Sequence, residues 1–195
     1  MKRLLPVLLL PVLLLGCGLE PTPARLLGPV PPAGRRLAVI GSDYASTAVS
    51  LLDLDGPRRV GSALWTSGSV VTPAGTLLSG DVVLAQTPMG DGRLVVLDRT
   101  NGVVNLFEPA TGTATQWSVA TGFYANPQDV AVVPGGVAFV SRLGRNPKPT
   151  PSPDDFDEGD DLLRVDVASG KVTGRVALAG WATAPGMVAG PVRMA

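Results

Sequence analysis

From Arg36 onward the apolar runs are four to eight residues long, rich in Val and Leu, and broken by Gly, Pro, Asn, Asp and Thr. Runs this short cannot sustain the apolar stripe of a helix, so the segment reads as strands joined by tight turns and the fold class as all-β. The clearest unit spans Asp81 to Ala120. Asp81–Gln86, Arg93–Asp98, Val103–Phe107 and Thr113–Val119 are four strands, with Asn101-Gly102 predicting a tight hairpin because both residues tolerate positive φ. A second unit has strands at Asp129–Val133, Val137–Ser141, Leu162–Val167 and Lys171–Leu178; a partial one has Arg36–Gly41, Ala48–Leu54 and Arg58–Trp65. The turn glycines of the last hairpins are Gly56, Gly112 and Gly170, 56 and 58 residues apart (112 − 56 and 170 − 112). That period marks one supersecondary unit used repeatedly.

A four-stranded sheet has two faces to cover, and tandem sheets cover one another when they stack around an axis. The architecture expected is therefore a partial β-propeller of about three four-stranded antiparallel blades, with a β-sandwich as the alternative. Three blades do not close a ring of the usual four to eight, and Val192-Arg193-Met194-Ala195 reads as the first strand of another blade. The chain is accordingly expected to be truncated at its C-terminus.

Asn126-Pro127-Gln128-Asp129-Val130-Ala131-Val132 with Gly136-Val137-Ala138-Phe139-Val140 resembles the blade opening of bacterial surface β-propellers with YVTN-type or quinoprotein-like repeats. Val165-Asp166-Val167-Ala168-Ser169-Gly170-Lys171-Val172 resembles the closing hairpin, and Phe107-Glu108-Pro109-Ala110-Thr111-Gly112-Thr113 is a weaker version. Quinoprotein blades place a Trp at a fixed step after the turn glycine. Here Trp117 comes one residue late and Gly174 takes that place in the later unit, so no cofactor is expected.

The N-terminus carries an address. Met1-Lys2-Arg3 precedes Leu4–Leu15, ten of whose residues are Leu or Val, which is a signal-peptide pattern; the run falls short of the about 20 apolar residues a spanning helix needs. Leu14-Leu15-Gly16-Cys17 resembles the lipobox of bacterial lipoproteins, in which the cysteine is acylated before cleavage. The resemblance implies lipidation at Cys17, anchoring by more than one acyl chain, and export; Gly18 rather than Asp after the cysteine implies the outer membrane if the source is Gram-negative. Cys17 is the chain's single cysteine, so no internal disulfide forms. Pro21, Pro23, Pro29, Pro31 and Pro32 make Gly18–Arg36 a semi-rigid tether. The division expected is a signal peptide over 1–16, anchor and tether over 17–36, and propeller-like repeats over 37–195.

Chemistry is constrained by what is missing. With no His there is no Ser-His-Asp triad, Cys-His dyad or His-ligated metal, and 16 basic against 16 acidic residues argue against nucleic-acid binding. Six carboxylates in Asp154–Asp161 suit calcium, but the spacing fails as an EF-hand, and Arg142–Asp161 reads as a solvated, self-repelling insertion with a metal or partner site as the alternative. Asp43, Tyr44 and Arg142 follow corresponding strands and are candidates for a ligand-binding loop face, against a turn-capping role. Trp65, Trp117 and Trp181 are expected to fill gaps between blades, with a carbohydrate platform as the alternative. No acid/base, phosphate-loop or nucleophile motif is present, so no catalytic residue and no metal ligand is assigned. The function expected is a lipid-anchored cell-envelope module, non-enzymatic, which binds an envelope protein or surface ligand. The alternative is a propeller enzyme, a quinone-dependent dehydrogenase or calcium-dependent lactonase or hydrolase.

Overall fold

The computed structural model describes residues 35–55, 64–68, 75–120, 122–150, 156–184, 187 and 189–194. Among these the regular structure is strand, apart from one short 3-10 turn at Ala179–Trp181. The first sheet joins β1 (Arg36–Ser42), β2 (Thr47–Asp53) and β3 (Trp65–Thr66) in the order β1-β2-β3. The second is β4 (Val82–Leu84), β5 (Leu94–Asp98), β6 (Val103–Glu108) and β7 (Thr113–Ser118), again in chain order. β8 (Pro127–Val133), β9 (Val137–Arg145), β10 (Gly159–Asp166) and β11 (Val172–Ala177) form the third. Every pairing is antiparallel, as short connections between neighbours require.

Turn chemistry sets these meanders. Gly112 and Gly170 adopt φ of 70° and 69°, in the left-handed region that a residue without Cβ enters freely, while Gly56 lies outside the described residues. Asn101-Gly102 lies in the expected hairpin turn, but only its glycine takes the positive φ expected of both. Asp98 pairs with Val103, leaving a four-residue turn in which Gly102 takes positive φ and Asn101 instead donates N–H and Nδ2 to Asp98, at 2.9 and 2.8 Å.

The three sheets stack side by side, the arrangement of a partial β-propeller rather than the two facing layers of a sandwich. The middle sheet is covered on both faces, which is why β5 and β6 read as almost unbroken apolar runs. Val82, Val96, Phe107 and Ala114 pack with Val49, Leu51 and Trp65 of the first sheet. On the opposite face Val95, Leu97, Val104, Leu106 and Trp117 pack with Val130, Ala138, Val140, Leu163 and Val165 of the third. The tryptophans do the bridging. Trp65 stacks on Phe107 across the first junction with centroids 5.5 Å apart, and Trp117 occupies the space beside Gly170 across the second. A Cβ at Gly170 would sit 2.3 Å from the Trp117 ring, so the glycine serves packing as well as the turn. Trp181, after the last described strand, is 69% exposed and packs against no described sheet.

The insertion is shorter and drier than the sequence implied. β9 continues to Arg145 and β10 begins at Gly159, so only 146–158 lies outside the ladder, and 151–155 of it falls outside the described residues. Arg142, Asp157, Asp160 and Asp161 are buried, not solvated. Hydrogen-bond donors satisfy Asp157, Asp160 and Asp161 separately, which offsets the repulsion expected to extend them. Val192–Met194 lie outside the ladders, so the strand expected there does not form among the described residues.

Candidate functional site

The residues singled out from sequence separate in the structure. Cys17, Asp154 and Asp155 lie outside the described residues. Arg142 is 1% exposed and fully engaged. Its Nε and Nη2 form a bidentate pair with Asp161 at 2.8 and 2.7 Å, Nη1 and Nη2 donate to the Val119 and Phe156 carbonyls, and the guanidinium stands 5.3 Å from the Phe123 ring centroid. A guanidinium so satisfied ties the inter-sheet connection and the insertion to β9 and β10. It is an anchor and does not join Asp43 and Tyr44 on a ligand-binding face.

Asp43 caps the β1–β2 turn, accepting from the N–H groups of Ala45 and Ser46 at 2.9 and 2.6 Å and from the Ser46 hydroxyl. These donors hold its carboxyl below the usual range. The turn is also clamped to the next sheet. Ser42 Oγ donates to the Gly80 carbonyl, and a Cβ on Gly80 would collide with the Tyr44 and Ala45 backbone. Tyr44 is thereby held with φ of 64° and its ring 87% exposed. A large side chain in the left-handed region on a braced loop is uncommon, and such positions concentrate at functional sites.

Tyr44 edges a cleft of about 420 Å³ between β1 and β4, lined also by Ile40, Ser42, Asp81, Leu84 and Arg99. Asp81 precedes β4 and Arg99 follows β5, so the hairpin brings them together, Nη1 to Oδ1 at 3.6 Å. Tyr124, 52% exposed, reaches the same carboxylate from the connection between the second and third sheets. Burial pushes its phenol up, and the negative charge and hydrogen bond of Asp81 push the same way. Tyr124 lines a second, separate cleft of about 620 Å³ with Phe123, Arg145, Asn146, Lys148 and Asp157. Both tyrosines of the chain therefore stand near one Asp–Arg pair, Tyr44 lining the first cleft with it and Tyr124 lining the second. Sequence reading named Tyr44 but missed Asp81, Arg99 and Tyr124. Their signal was available for the first two, since a Val-rich hairpin bracketed by opposite charges predicts an end-of-hairpin pair.

In the acidic run, Asp157 Oδ2 accepts from the Thr150 N–H and hydroxyl at 2.9 and 3.0 Å and from Asn146 Nδ2, and the Thr150 N–H leads in lowering its pKa. Asp160 binds the Ala189 and Gly190 N–H groups at 2.9 and 3.1 Å. Each carboxylate thus stitches one segment to another, and among the described residues no three His, Cys, Asp or Glu gather as a metal site. Of the tryptophans, Trp65 and Trp117 fill inter-sheet gaps as expected, and Trp181 does not. No described helix is long and apolar enough to cross a membrane.

Neither a family model nor a curated protein matches the chain. Among solved structures it is similar to one described as a nidogen/laminin complex, at 12% identity and a TM-score of 0.47, with 73% of this chain covered. The chain spans 43% of that structure's chain.

Proposed function

We propose that the protein is an exported, lipid-anchored binding module in which a propeller-type stack of sheets presents a tyrosine-flanked polar groove to a protein partner in the cell envelope. The carrying observation is the contrast between two sets of polar residues. Arg142, Asp161, Asp98 and Asp129 are buried and occupied with holding the fold, whereas Tyr44 is held out over its cleft by a braced turn and Tyr124 stands half-exposed beside the same Asp81. Tyrosine supplies large contact area at small entropic cost and is enriched at interface hot spots, and a half-exposed Asp–Arg pair between two rings adds orientation more than affinity. The anchor is supported by the Leu14–Cys17 motif alone, and membrane attachment follows from it.

Two experiments test the halves separately. Labelled palmitate is expected on the wild-type protein and absent from Cys17→Ser; equal labelling of both would remove the anchor. A photoreactive benzophenone side chain at position 44 is expected to capture a discrete envelope protein, with capture lost on Tyr124→Ala. Capture no stronger than from a benzophenone at Arg164, exposed on the third sheet, would reject the groove as the binding face.

A further inference from the structure

The turn between β5 and β6 carries chemistry that neither cleft uses. The chain has four asparagines, Asn101, Asn105, Asn126 and Asn146. Asparagine is a labile residue because the backbone nitrogen of the residue after it attacks the side-chain Cγ and expels ammonia, so that following residue decides the rate. Asn126 and Asn146 precede prolines, which have no N–H to give up, and Asn105 precedes Leu106 and is 1% exposed in the middle sheet. Asn101 is exposed and precedes Gly102, where no side chain hinders the approach.

The same asparagine is a clasp. Its Nδ2 donates to the Leu77 carbonyl at 2.9 Å and to Asp98 Oδ2 at 2.8 Å, and its N–H donates to Asp98 Oδ1 at 2.9 Å. Asp98, fully buried, also takes the Ser79 N–H and hydroxyl at 2.7 and 2.6 Å. Asp98 and Asn101 together pin residues 77–79, in the connection from the first sheet to β4, onto the second sheet. Gly80, next in that connection, is where the β1–β2 turn lies against the second sheet. Both acceptors around Nδ2 suit an amide and neither suits a carboxylate. A carboxylate at position 101 would set a second negative charge against Asp98 and leave the Leu77 carbonyl without this donor.

We propose that Asn101 is a deamidation site guarded by the fold, and that its conversion releases the connection between the first and second sheets. The Gly102 nitrogen bonds to Asn101 Cγ and gives up its proton, the Cγ–Nδ2 bond breaks, and ammonia leaves. Water then opens the cyclic imide to an aspartate or an isoaspartate at that position. The guard is geometric. To reach the Gly102 nitrogen the amide must leave both acceptors, and the turn backbone is fixed. Gly102 holds φ of 63°, its carbonyl accepts from the Val119 N–H at 3.0 Å, and it fits so closely against Ala120 that a Cβ there would come within 2.6 Å. The reaction therefore runs when the turn opens locally, and its product no longer refits, so an opening of this junction leaves a covalent mark.

The proposal is independent of the anchor and of partner binding. Its test incubates the exported chain carrying Cys17→Ser in mildly alkaline buffer, folded or in denaturant, and reads the four asparagines by peptide mass spectrometry. Conversion at Asn101 is expected to be at least about tenfold faster in denaturant than in the folded chain, and to precede conversion at the other three. Equal rates in the two states would overturn the guard, and earlier conversion at another asparagine would overturn the site. Asn101→Asp is expected to lower the melting temperature by more than about 5 °C, and an unchanged value would overturn the clasp. If that variant does not fold, the wild-type chain converted in denaturant decides. Once denaturant is removed, converted molecules are expected to be depleted from the protease-resistant fraction, and their equal recovery with unconverted chains would overturn the release.

Discussion

Arg142 shows how much a residue's role depends on what surrounds it. On a loop face its guanidinium would greet a ligand; between β9 and β10 it meets Asp161, two carbonyls and the Phe123 ring. Arg142→Ala leaves Asp161 buried with only Arg175 at 3.7 Å, so the expected loss is about 3–5 kcal/mol of unfolding free energy, measured by denaturant titration. Gly170→Ala brings a Cβ against Trp117 at positive φ. An expected loss of about 1–3 kcal/mol, read from the same titration, reports overpacking at the second junction. The turn-capping aspartates give a pH signature. Asp43, Asp91, Asp157 and Asp166 are all held below their ordinary 3.8, by backbone and hydroxyl donors or, for Asp91, chiefly by the Arg93 side chain. Their stabilisation is full above that ordinary value and is lost as pH falls through the lower folded values. Thermal melts are therefore expected to be flat in their contribution from neutral pH to about pH 4 and to fall steeply below it, and Asp157→Asn should flatten part of that fall.

At the scale of elements, strands were legible because their apolar runs are short and their stops are chemically distinct. Arg36, Val103 and Thr113 open strands where the sequence placed them, and Asp98 closes one. What local pattern did not reveal was the length of β9. Arg142-Leu143-Gly144-Arg145 reads as a polar, broken stretch, but its backbone pairs with β8 and β10, and Gly144 fits against the Tyr124 carbonyl where a Cβ would come within 1.9 Å. The acidic run misled for a similar reason. Charge density predicts repulsion in water, whereas Thr150, the 189–190 backbone and Arg142 supply Asp157, Asp160 and Asp161 with their own donors. At the first junction Phe107 is fully buried against Trp65, so Phe107→Ala is expected to cost about 3–5 kcal/mol, with loss of near-UV circular dichroism from the stacked pair.

Across the whole molecule, stacking explains which residues are left over. The middle sheet has no open face, whereas among the described residues the two outer sheets carry Leu37, Val39, Val133 and Val176 outward. The first cleft belongs to the same scale: Asp81 and Arg99 come from the second sheet, and they meet Tyr44 only because Gly80 lets the β1–β2 turn lie against the next sheet. Tyr44→Ala is expected to leave the melting temperature within about 2 °C, as an exposed side chain should, while weakening capture by a benzophenone placed instead at position 124. The period of turn glycines, the alternation of apolar runs and the lipobox-like Leu14–Cys17 are properties of neighbouring residues, and the sequence alone determined strand order, sheet count and the expectation of an anchor. Which charges are buried, which residues line each cleft and which faces the tryptophans cover are set by contacts between residues tens of positions apart. Those distances exist only once the sheets have stacked, so tertiary structure alone decided them.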